Sequence, residues 1–213
     1  MAVITDFYAF LVSVVFISLS GVLMPGPLFA VTIEKSAVRK TAGALIALGH
    51  GLVEFPLMFL IYFGLNQVAV IPFEIEVGVG FVGGTMMFLM GVQTFRNRNK
   101  ANKEVKKAAK ESFLAGVWTT AANAGFILWW LTIGMALIMN AKSFGFINFT
   151  IFAGVHWLCD FVWYTFVAVL IFKSRRFWND KVHKGITFFC VGVLLVFGAL
   201  FFGSAMIQLI NSI

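Results

Sequence analysis

Two short stretches hold the residues of this chain that could do chemistry. "GHGLVEF" sets His50, Glu54 and Phe55 in the order histidine, three residues, acid, phenylalanine, and "GVHWLCDF" repeats that order with His156, Asp160 and Phe161. Residues four apart share one face of a helix, so each pair can hydrogen-bond within its own helix and both can aim at a common centre. An imidazole beside a carboxylate suits a proton relay or contact with a cationic ligand, and both pairs together offer the nitrogen and oxygen donors of a transition-metal site. Their structural alternative is to serve as polar glue between helices.

The surroundings give these pairs their weight. The 213 residues are 61% hydrophobic and only 12% charged, with a mean hydropathy of +0.95, whereas soluble domains are roughly a quarter charged. Ionisable groups at membrane depth cost about 3 kcal/mol on insertion scales and persist where they face a partner or water. Six apolar stretches long enough to cross the hydrocarbon layer as helix lie at roughly 7–33, 41–65, 73–95, 113–139, 146–172 and 186–210. Their continuous apolarity excludes barrel strands, which alternate. No basic segment precedes the first stretch, and "MPGP" runs on into further apolar sequence, so a retained helix is expected rather than a cleaved signal. The expected fold class is an all-α polytopic membrane protein.

Net charge of +7 does not imply a nucleic-acid partner, because the basic residues form no single patch. Fifteen of the 16 fall after the first, third and fifth stretches: Lys35 to Lys40, Arg96 to Lys110, and Lys173 to Lys184; Lys142 is the exception. Positive-inside bias then puts those loops in the cytoplasm and both termini outside a cell (inner or plasma) membrane. The most basic segment, 96–112, divides the chain into three-helix units at 1–95 and 113–213. An odd number of helices per unit makes them inverted repeats.

Each unit also carries a helix break in its first span. Pro25 and Pro27 flank Gly26, and Asn123-Ala124-Gly125 stands at the corresponding place. Proline frees carbonyls one turn back, and a restarted half-helix presents free N–H groups. Such N–H groups suit a carboxylate and freed carbonyls suit an ammonium, which together describe an amino-acid zwitterion. Asn123 can cap its half-helix through the side-chain oxygen. Among the aromatic residues Trp129, Trp130, Trp157, Trp163 and Tyr164, the two expected on a substrate path are Trp130 and Tyr164.

The remaining features are structural. Gly80-x-x-x-Gly84 offers a close-packing face for helix contact or homodimerisation. Glu74 and Glu76 sit at the favourable start of the third helix. His183 lies in a basic loop, and Cys159 and Cys190 read as small buried side chains, with no CxxC pair to suggest a thiol relay.

"GVLMPGPLFAVTIEKSAVRKTAGALIALGHGLVE", "NAGFILWW" and "GVHWLCDFVWYTFV" together resemble the LysE/RhtB-type amino-acid exporters, in particular an archaeal-like branch with G-H-x-L-x-E in its second helix. The resemblance covers most of the chain and implies a secondary transporter, not an enzyme, that exports amino acids or related metabolites without a cofactor. One departure stands out: the family's Asn-Pro is here Asn123-Ala124. The resulting expectation is a proton-coupled exporter. Its substrate is held at Pro25, Gly26, Pro27, Asn123, Gly125, Trp130 and Tyr164, and His50, Glu54, His156 and Asp160 change protonation. Export of a divalent cation through the His and acid pairs is the alternative.

Overall fold

The computed structural model describes residues 5–23, 26–64, 73–96 and 105–211. Pro25 and residues 97–104 of the basic connector lie outside them. The described residues form helices and no strands, in the order α1 Phe7–Val22, α2 Pro27–Ser36, α3 Ala42–Phe63, α4 Phe73–Arg96, α5 Val105–Ala121, α6 Ala124–Trp129, a π-helical turn Trp130–Gly134, α7 Met135–Ser143, α8 Phe146–Ser174 and α9 Asp180–Asn211.

Local chemistry explains the boundaries. Asp6 caps α1 by accepting from the Ala9 N–H at 2.7 Å. Gly26, extended at φ −119°, precedes Pro27 at the first position of α2, where the missing N–H costs nothing. Gly145 joins α7 to α8 at φ +88°, a left-handed conformation that glycine adopts without steric penalty.

Among the described residues, length and apolarity qualify four helices as membrane spans: Ala42–Phe63, Ala124–Ser143, Phe146–Phe177 and Lys184–Asn211. A fifth arises if α1 and α2, whose axes differ by 73°, count as one bent span. The expected span at 73–95 is helical as α4, but its apolar section is only Gly80–Val92, shorter than the other spans. The expected span at 113–139 differs in its limits. Helix starts at Val105, stops at Ala121 and resumes at Ala124, so the apolar crossing is Ala124–Ser143. The interruption falls at Asn123, where a side chain competing for backbone N–H groups favours a cap over helix interior. Large apolar side chains such as Phe16, Leu52, Val162 and Leu200 point outward from helices whose other faces are buried, as a lipid-facing surface requires.

Small residues set how closely the helices that matter approach. Where α3 crosses α5, a Cβ on Gly49 would strike the Phe113 carbonyl and one on Gly116 would strike the Ile46 carbonyl. Where α3 crosses α8, Gly43 faces the Tyr164 carbonyl and Gly51 the Trp157 indole, whose N–H donates to the Ala47 carbonyl at 3.0 Å. The Gly80 and Gly84 face is occupied within the chain: it packs on Phe201, Phe202 and Ala205 of α9. A side chain at Gly116 would meet backbone, which cannot rotate away. Gly116→Leu is therefore expected to cost at least the ~1–3 kcal/mol typical of overpacking, read as a lower thermal unfolding temperature in detergent. Unchanged unfolding would contradict the close α3–α5 crossing.

Candidate functional site

The α3 and α8 crossing brings the two histidine and acid pairs together. His50, Glu54, His156 and Asp160 are all buried, with Glu54 only 1% exposed. His50 Nε2 lies 3.1 Å from Glu54 Oε1, the expected contact within one helix. The second pair is looser: His156 Nε2 is 3.9 Å from Asp160 Oδ2. Its shorter contact runs between helices, to Glu54 Oε1 at 3.3 Å. His50 in turn stands 3.8 Å from Asp160 Oδ2. Both imidazoles thus address both acids, and the two pairs form one cluster.

The other ring nitrogens are held by hydroxyls that sequence reasoning missed. His50 Nδ1 is 2.9 Å from Thr120 Oγ1 of α5, and His156 Nδ1 is 2.7 Å from Ser18 Oγ of α1. Each histidine is therefore anchored by a helix from the other side of the basic connector. A signal existed, since Ser18 and Thr120 are small polar residues just before each break, but nothing in the spacing paired them with particular histidines.

Trp130 is fully buried and donates its indole N–H to Glu54 Oε1 at 3.2 Å. It opens the π-helical turn, and its ring lies against Gly134, where a Cβ would collide with it. Glu54 Oε1 thus gathers Trp130 and both imidazoles, while Glu54 Oε2 is buried with no hydrogen-bond partner among the described residues. Aromatic rings close the cluster: Trp129 stacks on His156 with centroids 5.3 Å apart, and Phe126 meets His50 edge-on at the same separation.

These groups line a cavity of about 270 Å³. Gly26, Pro27, Asn123, Gly125, Trp130 and Tyr164 line it as well, so it reaches the restart of α2 and the break before α6. At that second break the Asn123 side chain accepts from the Phe126 N–H at 3.3 Å and supplies a cap without the proline. Pro25 lies outside the described residues. Of the features read as structural, Cys190 is buried and Cys159 half-buried, and both thiols are free. Glu74, Glu76 and His183 have side chains outside the description.

As a donor set, His50, Glu54 and Asp160 each offer a ligand atom within 4.8 Å of the others, close enough to hold a cation. The central oxygen, Glu54 Oε1, is already taken up by the Trp130 N–H and the two imidazoles.

Apolar helices enclosing a buried ionisable cavity beside two helix breaks define a polytopic membrane protein built to handle a small solute. The chain belongs to the LysE type translocator family, whose model matches residues 19–205. It is a multi-pass membrane transporter rather than an enzyme. Over 182 residues it is 26% identical to "Putative amino acid efflux protein YcgF" of Bacillus subtilis (strain 168), an alignment covering 83% of this chain and 87% of that one. No solved structure matches the chain.

The Trp130 bond gives the site's geometry a direct check. Trp130→Phe keeps an aromatic ring but leaves the central carboxylate short of a donor. The loss expected for a buried hydrogen bond to a charged group is about 1.5–3 kcal/mol, measured as a drop in thermal stability of the purified protein. A variant as stable as the parent would show that the indole N–H does not hold Glu54.

Proposed function

We propose that this protein is a secondary active exporter of amino acids or closely related small metabolites, driven by exchange for protons. The observation that carries the reading is the meeting of four ionisable side chains with both helix breaks at one cavity. Membership of a translocator family and the printed name of the Bacillus relative supply the class of cargo.

The roles follow from the chemistry at the cavity. Gly26 and Pro27, which follow Pro25 in sequence, and Asn123 with Gly125 stand where helices restart, and N–H groups and carbonyls there suit the two charged ends of a zwitterion. Trp130 and Tyr164 give the cargo a wall with polar edges. His50, Glu54, His156 and Asp160 exchange protons as access to the cavity switches from one side to the other. With the basic loops in the cytoplasm, both termini lie outside.

The switching units are the segments 1–95 and 113–213, taken as inverted three-helix repeats joined by the connector 96–112, with α4 completing six spans. Reciprocal packing supports this: α1 packs on α8 as α5 packs on α3, and α4 packs on α9. The crossed hydroxyl bonds follow the same exchange, Ser18 to His156 and Thr120 to His50. Divalent-cation export through the same side chains is the second reading. The aromatic and apolar wall and the name of the relative favour the organic solute.

Efflux from proteoliposomes under an imposed pH gradient tests the proposal. Glu54→Gln combined with Asp160→Asn removes both acids while preserving shape. It is expected to cut gradient-driven amino-acid flux at least about tenfold, equivalent to ~1.4 kcal/mol in the rate-limiting barrier. Flux at the parent rate would remove the coupling role. Chelators are expected to leave transport unaltered; a requirement for added metal would instead favour the cation reading.

A further inference from the structure

The proposed coupling treats the two histidines alike, but their hydroxyl partners do not. Ser18 has one hydroxyl proton, and it is committed to the Val14 carbonyl 2.6 Å away within α1. Toward His156 the same oxygen can therefore only accept, so the bond to Nδ1 requires a proton on Nδ1. That excludes the neutral tautomer of His156 with its proton on Nε2. Any proton arriving at Nε2 makes the ring a cation, and Nε2 is the nitrogen that faces Glu54 Oε1 at 3.3 Å and Asp160 Oδ2 at 3.9 Å.

His50 is under no such constraint. Among the described residues, the Thr120 hydroxyl hydrogen-bonds with His50 and with no carbonyl, so it is free to donate to Nδ1. His50 can then offer an Nε2–H to Glu54 Oε1 at 3.1 Å while remaining neutral. One imidazole can satisfy the shared carboxylate without gaining charge, and the other must take up a proton to do so.

We infer that Ser18 is a positioning residue that makes His156, and not His50, the imidazole that loads and releases the transported proton. This rests on the proton-coupled export reading. The ionisable groups facing His156 are Glu54 and His50 from α3 and Asp160 from α8, while Cys159 of α8 borders Ser18 and directs its thiol to the Val155 carbonyl at 3.4 Å. Trp129 and Trp130 cover the ring's flanks. When the proton leaves Nε2, its acceptors are those carboxylates or water in the cavity, and the bond to Ser18 is retained throughout.

Nitrogen-15 spectra of the full-length protein with labelled histidine read the tautomers directly. The expected result is a proton on His156 Nδ1 at every pH, with titration seen only at Nε2, and a neutral Nε2–H form of His156 that appears in Ser18→Ala. In proteoliposomes, Ser18→Ala is expected to lower protons moved per amino acid about tenfold, as loss of a positioned proton carrier would. Ser18→Thr restores the ratio, and Thr120→Val keeps it even where it slows transport. A neutral Nε2–H tautomer of His156 in the unsubstituted protein would overturn the inference, whether or not Ser18→Ala can be purified. So would Ser18→Ala with unchanged coupling. If the spectra are as expected and no amino acid is transported, the export reading fails and the assignment of the His156 tautomer stands.

Discussion

The arrangement depends on one constraint: a buried carboxylate at membrane depth has to find its compensation inside the protein. Glu54 does so by collecting two imidazoles and an indole N–H on a single oxygen. Removing an ionic partner of such a buried group typically costs about 3–5 kcal/mol, because the remaining charge is left without an answer. Each partner comes from a different place in the chain: His50 one turn away on α3, His156 from α8, and Trp130 from the turn after α6. Satisfying Glu54 therefore fixes how three helical segments meet.

The glycines make that meeting geometrically available. Without a Cβ at Gly43, Gly49 and Gly116, α3 and the backbone of α5 and α8 come closer than any larger residue would allow. In lipid there is no hydrophobic gain from bringing helices together, so close backbone contact and polar bonds between helices have to supply it. The breaks act in the opposite sense by opening space. Where α2 restarts at Pro27 and α6 at Ala124, helix gives way to backbone beside the cavity, a location where protein rather than hydrocarbon surrounds the interrupted groups. A tight crossing beside opened backbone is a physical basis for a site that binds a solute and still changes shape.

Much of this was legible from the residues alone. The pairs His50 with Glu54 and His156 with Asp160 stood out because ionisable groups are rare in sequence this apolar, and their four-residue spacing put each pair on one face. The place of the second break was readable from Asn123 and Gly125, since both residue types disfavour helix interior. The contacts between the pairs could not be read: helical periodicity says which face a residue occupies and nothing about which helix lies opposite. For that reason His156 stands too far from Asp160 for the expected hydrogen bond, at 3.9 Å, and bonds instead to Glu54 across the interface. Ser18 and Thr120 were hidden for the same reason. The limits of the fourth span were missed because residues 105–112, read as the end of the connector, form the start of helix α5, and the apolar crossing lies after its break, reaching Ser143.

The account stands or falls on Glu54 and His156 answering one another across the α3 and α8 interface. A double-mutant cycle on thermal stability, with Glu54→Gln and His156→Gln made singly and together, measures that link without reference to any substrate. The predicted outcome is a coupling energy above about 1 kcal/mol, as expected for residues in one hydrogen-bonded network. Effects that simply add, to within about 0.5 kcal/mol, would mean the two side chains do not share a site.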